Sequence, residues 1–413
     1  MSVEGYRGDT PPRIKVIFLS KPDGKTEKTM KQIINAKIVT RDGVLEDKAL
    51  LFDEKIVGFS DTPTESVETV DAEGLYLIPG LIDLHIHGCC GVGASDGSVA
   101  SIRTMAEGLL KNGVTAFLPT TMTLSYEQLE KSFDAVRAVM YEGGTANKKN
   151  ADVLGIHAEG PFVNEKKKGA QNPKYIKKLD ADFVLKHKDV IKLLTVAPET
   201  DEDFEGIKRL KAETDIVLSM GHTDADYETA KASLKAGISH ATHLFNAMTP
   251  ITHREPGAAG AALFSPEVSC ELICDGFHIN SALFEPVYRL KGEKLNLITD
   301  SIACAGMPDG EYMLGGLKHI KKGIECRLPD GTIAGSVLTL NEAVRNLHKA
   351  GVPLHEAVNA ASLYPAMTLG IENERGEIKK DLLADFSLCD GEFNIKKVFK
   401  RGRATARRGN GDM

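Results

Sequence analysis

The chain has 413 residues, 42% of them hydrophobic and 26% charged, with a formal net charge of −7. That length holds one large domain plus a small one, or two medium ones, and the composition excludes a disordered or fibrous chain. The acidic balance offers no basic excess to neutralise a phosphate backbone, so nucleic acid is not expected as the main partner; a small anion in a locally positive pocket stays open.

No apolar run reaches the roughly 18 residues of a membrane-spanning helix. The short apolar stretch from Val16 to Leu19 sits in charged, proline-bearing sequence without the length or cleavage site of a signal peptide. Seven cysteines, including the adjacent Cys89 and Cys90, make a poor disulfide framework and contain no C-x-x-C pair. The expectation is a cytoplasmic protein without a structural zinc knuckle. The first β unit begins naturally near Met30, so residues 1–29 are expected to be an appendage outside the chemistry.

From Lys31 to Tyr76 the segments QIINAKIVT, KALLFD and KIVGFS alternate in a β manner, with Arg41-Asp42-Gly43 as a hairpin-type turn. After Pro79-Gly80 short apolar strands alternate with amphipathic stretches, the pattern of βα units around a parallel sheet. Strands are predicted at GLIDLHI (from Gly80), TAFLPT (Thr115), DVLGIHAE (Asp152), KLLTVAPE (Lys192), DIVLSMGH (Asp215), SHATHLF (Ser239), SCELICD (Ser269) and LNLITD (Leu295). Helices are predicted from Ile102 to Lys111, ending near Gly113, and from Tyr227 to Lys235, ending at Gly237. Eight such strands fit a (β/α)8 barrel of the TIM-like α/β class. A doubly wound sheet is the alternative, and it wants an early glycine-rich phosphate loop that this chain lacks. LNEAVRNLHKAG and LHEAVNAASLYPAMTLG then read as helical, and GEIKKDLLADFSLCDGEFNIKKVFKRG returns to short strands. β segments at both ends suggest that the ends pair into one small sheet domain, with ATARRGNGDM as a frayed tail.

The strongest chemical signal is His85-Ile86-His87. Residues two apart on a strand share a face, which sends both imidazoles into the barrel at the end where barrel active sites lie. A pair of hydrogen-bonded core histidines is the structural alternative. Further ligand-type residues fall at the ends of later strands: Glu159, His222, His243 and Asp300. Buried charges are costly unless paired or bound to metal, so a divalent metal explains the whole set. Imidazole and carboxylate donors suit Zn²⁺ or Fe²⁺ better than Mg²⁺ or Ca²⁺. Asp300 is the best candidate to take a proton from water and return it to the leaving group. His157 shares the face of Glu159 and either supports the ligands or simply packs. His240 is expected to be structural, His278 to lie in a loop over the same barrel face, and Lys166-Lys167-Lys168 to be a solvated loop face.

PGLIDLHIHG, GIHAEGPF, GHT, THLFNAM, REPG, DGFH, the Asp of LITD and ASLYPAMTLG…ADF together resemble the amidohydrolase superfamily. Within it they resemble the deacetylases that remove acetate from the amide nitrogen of an amino-sugar phosphate, over nearly everything from Met30 to Lys400. The resemblance implies a barrel (79–371) with a small β-sandwich domain made from both chain ends (30–78 and 372–405). It implies that Glu159, His222 and His243 hold a principal metal, and that His85 and His87 hold a second one with Glu159 shared, giving one or two ions per subunit. Asp300 would sit beside them as ligand, general base and acid. Asn246, the backbone at Ala247, Arg254 and His278 would grip the phosphate, partly across a homodimer. The implied substrate is N-acetylglucosamine 6-phosphate, with the galactosamine epimer as the alternative and a non-catalytic barrel as a third reading. One position departs from the pattern: Gln171 stands where some relatives carry histidine, and glutamine donates a hydrogen bond but carries no proton.

Overall fold

Parallel strands buried on both faces need no alternation, because helices cover the outside and side chains fill the inside. In the computed structural model, which describes residues 16–17, 30–142, 149–314 and 316–405, eight such strands form the centre of the molecule. They are β1 (Leu81–Ile86), β2 (Val114–Thr121), β3 (Ile156–Glu159), β4 (Ile191–Val196), β5 (Val217–Met220), β6 (His240–Ala241), β7 (Ser269–Ile273) and β8 (Leu295–Ile298). Every residue of β1 and β2 is buried. Neighbours pair in parallel from β1 through β8. The barrel closes where Asp300 N–H donates to the His85 carbonyl (2.8 Å) and Ile86 bridges Ser301.

The helix predicted before Gly113 is α1 (Val99–Leu110), and the one before Gly237 is α2 (Tyr227–Ala236). The Asp226 carboxylate caps α2 by accepting from Thr229 N–H. Three elements differ from expectation. The segment DVLGIHAE is broken: Asp152–Val153 pairs separately with β2, and β3 begins only at Ile156. Gly155 between them has φ +147°, and a Cβ there would lie 2.3 Å from Lys192 Cγ. The predicted strand SHATHLF shrinks to His240–Ala241, because the chain turns sharply at His243, Phe245 and Ala247, all with positive φ. The helix LHEAVNAASLYPAMTLG splits into Leu354–Asn359 and Leu363–Thr368. Pro365 has no N–H for the Ala361 carbonyl, so one continuous helix cannot form.

Outside the barrel, strands from both chain ends form two sheets. One joins Lys37–Thr40, Gly43–Leu45 and Tyr76–Pro79 to Phe386–Cys389, Ile395–Lys400 and Arg403–Ala404. The other contains Lys31–Ile34, Ala49–Phe52, Ile56–Ser60 and Glu68–Asp71. Ile33, Leu50, Phe52, Leu77, Phe386 and Phe399 make up much of a core separate from the barrel's. Thr40 faces Gly43 across the predicted Arg41-Asp42 turn. The expected N-terminal appendage lies outside the described residues except for Val16–Ile17, which adds to the second sheet beside Thr69 and Val70. Of the expected frayed tail, Ala404 belongs to the edge strand Arg403–Ala404, and residues 406–413 lie outside the described residues. No helix among the described residues is long and apolar enough to cross a membrane.

Where the small domain meets the foot of the barrel, a fully buried Lys400 ammonium lies 2.7 Å from Asp152 and 2.5 Å from Asp385. Arg375 and Arg401 reach the same Asp152 carboxylate at 2.9 and 3.3 Å.

Candidate metal centre

At the opposite end of the barrel, the C-terminal ends of β1, β3, β5, β6 and β8 bring six predicted ligand-type residues together. Glu159 is the hub. Its Oε1 lies 2.9 Å from His243 Nε2, 3.1 Å from His222 Nε2 and 3.5 Å from His85 Nε2, while Oε2 lies 3.1 Å from His87 Nε2. Asp300 Oδ1 faces His87 and His85 at 3.3 and 3.5 Å. All six side chains are buried.

The tautomers follow from the far sides of the rings. A carbonyl or carboxylate only accepts, so a ring nitrogen facing one carries a proton. His85 Nδ1 faces Glu271 Oε2 at 2.9 Å, His87 Nδ1 the Thr120 carbonyl at 3.1 Å, and His222 Nδ1 the Lys167 carbonyl at 2.8 Å. In the neutral rings the lone pairs therefore sit on Nε2. Yet His85 and His87 Nε2 are 3.2 Å apart, and His222 Nε2 stands equally close to Nε2 of His243, whose Nδ1 has no hydrogen-bond partner. Facing lone pairs and carboxylate oxygens repel unless a cation lies between them. Donors at roughly 2.0–2.2 Å around one tetrahedral ion stand about 3.3–3.5 Å from each other, close to these spacings. The donor set fits a divalent metal, and two groups fit two ions: Glu159, His222 and His243; and His85, His87 and Glu159.

The electrostatics express the same demand for positive charge. Burial pushes the pKa of His85 down, but Glu271, Glu159 and Asp300 outweigh it and raise it to about 9. Burial likewise opposes the His87 cation, and hydrogen bonds to Asp300 and Glu159 raise its pKa to about 10. Burial would raise Glu159, yet His85 and His222 hold it well below the usual carboxylate range. Asp300 is also lowered: burial opposes ionisation, and His85 and His87 overcome it.

Strand ends aim these groups through an unusual backbone. His222, His243 and Asp300 have φ of +47°, +32° and +48°, in the left-handed region that non-glycine residues seldom occupy. Such conformations persist only where the surroundings enforce them, and they cluster at functional sites.

Behind the ligands stands a carboxylate absent from the predicted set. Glu271, fully buried on β7, receives His85 Nδ1–H, lies 3.2 Å from His240 Nε2 and accepts the backbone N–H of His243 at 3.0 Å. Its signal was a glutamate inside the apolar strand SCELICD, a charge that needs a partner wherever it is buried. His240 is thus tied to the supporting carboxylate. His157 contacts no predicted ligand by hydrogen bond: its nitrogens face the Leu84 carbonyl (3.2 Å) and Thr195 Oγ1 (2.7 Å). Burial, with His85 beside it, lowers its pKa to about 3, which keeps it neutral. In the lysine run, Lys166 is exposed as expected, whereas the Lys167 carbonyl orients His222.

Gln171 is buried against the hub. Its amide donates to Glu159 Oε2 at 2.6 Å and accepts from Thr123 N–H at 2.6 Å. Asn246 Nδ2 donates to the His243 carbonyl at 3.2 Å, and the Ala247 carbonyl accepts from Thr223 N–H at 3.0 Å, so both lie in the turn that carries His243. Arg254 is exposed on the loop after that turn, and His278, after β7, is held by Asp275 at 2.6 Å. Among the described residues neither Arg254 nor His278 bonds to the metal cluster.

A closed parallel barrel with histidines and acids at its C-terminal mouth defines a class of metal-dependent hydrolases. The chain belongs to the amidohydrolase family, whose model matches residues 76–405. It is 38% identical over 335 residues to the N-acetylglucosamine-6-phosphate deacetylase of Bacillus subtilis (strain 168), covering 79% of this chain and 83% of that one. It is 30% identical to the N-acetylgalactosamine-6-phosphate deacetylase of Escherichia coli O157:H7, covering 91% of this chain and 99% of that one. The crystal structure of N-acetylglucosamine-6-phosphate deacetylase from Pasteurella multocida superimposes with a TM-score of 0.85 at 31% identity, covering 91% of this chain and all of that one.

Proposed function

We propose that this chain hydrolyses the acetamide of N-acetyl-D-glucosamine 6-phosphate to D-glucosamine 6-phosphate and acetate, a step of amino-sugar catabolism and cell-wall recycling. The observation that carries the reading is the convergence of four Nε2 atoms and two carboxylates at the barrel mouth, in a chain 38% identical to a deacetylase of that substrate. Glu159, His222 and His243 would hold the principal ion, and His85 and His87, together with Glu159, would hold a second. Zn²⁺ or Fe²⁺ suits this nitrogen and oxygen set. A divalent ion there supplies Lewis acidity, acidifying water and polarising an amide carbonyl.

The chain's own residues do the rest. Asp300, ionised at neutral pH by the histidines around it, takes the proton of the attacking water and returns it to the amide nitrogen as the C–N bond breaks. Gln171 keeps Glu159 turned toward the histidines through its amide. Asn246, the backbone at Ala247, Arg254 and His278 grip the phosphate, Arg254 through the bidentate geometry of its guanidinium. The exposure of Arg254 supports a homodimer in which this grip is shared. Six buried thiols among seven free cysteines support a reducing compartment, the cytoplasm.

The relative named for the galactosamine epimer supports a second reading in which the sugar differs and the chemistry does not. Steady-state kinetics on the two sugar phosphates separates them. A higher kcat/KM for the glucosamine substrate is expected, and a higher value for the galactosamine substrate reverses the assignment. Asp300→Asn should keep KM within a few-fold and lower kcat by about 10²–10⁴. Near-normal kcat in that variant removes Asp300 from the proton transfer.

A further inference from the structure

The chain carries a second group of metal-type donors that the hydrolytic centre does not use. Between Asp300 and the helix at Leu340 lies an insert of three antiparallel strands, β9 (Gly310–Leu314), β10 (Leu317–Lys322) and β11 (Glu325–Arg327). On β10, His319 alternates inward while its neighbours face out, and it is fully buried. Cys326, on β11, and Cys304, in the loop four residues after Asp300, are also fully buried. Their sulfurs are 3.4 Å apart, and one donor atom from each of the three residues lies within 4.8 Å of the others.

Two features separate this group from an ordinary packed cluster. Neither ring nitrogen of His319 has a hydrogen-bond partner, and a buried imidazole left unpaired on both sides is rare. The composition is also that of a thiolate-rich zinc site, two cysteines and a histidine. The absence of a C-x-x-C pair predicted no structural zinc. That reading assumed ligands close in sequence, whereas these are spread over 23 positions and brought together by strand pairing.

We infer that Cys304, Cys326 and His319 form a structural Zn²⁺ site that pins the three-stranded insert to the loop following Asp300. Binding turns two thiols into thiolates and releases two protons to solvent. The two negative charges then offset the ion, so the assembly is neutral and suited to burial. The three residues supply three of the four donors that zinc ordinarily takes. The clip acts where the barrel closes: Ser301 bridges both Ile86 and Ser336, and the Cys326 carbonyl accepts from Ala334 N–H at 2.9 Å. Zinc at this site fixes the loop after Asp300 and the segment leading to Ser336 without touching substrate.

Sulfur makes the test selective, because the hydrolytic cluster offers only nitrogen and oxygen donors. The full-length protein loaded with Co²⁺ should show thiolate-to-cobalt charge-transfer absorption in the near ultraviolet. The zinc-loaded wild type should show sulfur neighbours at about 2.3 Å in X-ray absorption. Cys304→Ser and Cys326→Ser should each abolish the cobalt band and lower the metal content by one ion per chain. Glu159→Gln should keep the band while losing metal elsewhere, and the Cys89→Ala/Cys90→Ala double variant should keep both. The inference is overturned if the wild type shows no sulfur coordination, or if the band follows Cys89 and Cys90. It is also overturned if intact mass reveals a Cys304–Cys326 disulfide in protein that binds no metal there. The wild-type spectra decide the matter even if a cysteine variant does not fold.

Discussion

Two buried clusters of charge, one at each end of the barrel, solve the same problem in opposite ways. At the foot, Lys400, Arg375 and Arg401 meet Asp152, Asp385 and Glu374, three cations against three carboxylates, so acids and bases of this chain neutralise each other. At the mouth, Glu159, Asp300 and Glu271 face four imidazoles, and the outer nitrogens of three of them, His85, His87 and His222, are already committed. Both arrangements bury carboxylates that isolated would be prohibitively expensive. Only the second leaves lone pairs aimed at one another. A self-compensated cluster holds the structure together, and an uncompensated one is a socket for a cation.

The comparison can be broken first at the foot. Lys400→Met removes the ammonium shared by Asp152 and Asp385 and should destabilise the protein by about 3–5 kcal/mol, read from urea unfolding. The metal content per folded chain should not change, since the mouth lies at the other end. Loss of metal without loss of stability would show that the two clusters are not separate.

A smaller effect is expected behind the mouth. Glu271→Gln weakens the carboxylate that fixes His85 and the His243 backbone. Metal affinity should fall about 10–100-fold, as for other groups that orient metal-binding histidines. Competition against a chelator measures it, and unaltered affinity would reduce Glu271 to a packing role.

The smallest effect sharpens the contrast through pH. Burial alone would raise the Asp152 pKa, but Lys400 and Arg375 outweigh it and hold it below its ordinary value. A carboxylate with a depressed folded-state pKa adds stability above its unfolded pKa of about 3.9 and loses it as pH falls through the folded value. Wild type should therefore lose more stability than Asp152→Asn between pH 5 and the acid limit of folding. Parallel unfolding curves for the two proteins would remove Asp152 from the acid response.

Much of the fold was legible in the chain. The eight strands were found in order, and His85-Ile86-His87 announced the mouth because period-two geometry puts both rings on one face. Glu159, His222, His243 and Asp300 were visible as ionisable residues closing apolar strands. The misses share a cause. SHATHLF looks like a strand, yet after Ala241 the backbone passes through left-handed turns at His243, Phe245 and Ala247, and no local pattern encodes that departure.

The sequence by itself determined the barrel, the pairing of its two ends into a small domain, and the residue types gathered at the barrel mouth, because side-chain periodicity and strand alternation are local properties. Tertiary structure alone decided which groups stand behind them. Glu271 reaches His85 across 186 positions, the Lys167 carbonyl reaches His222 across 55, and Lys400 reaches Asp152 across 248. Whether a buried charge is paired or left waiting for a cation depends on such distant neighbours, and their arrangement exists only once the barrel has closed.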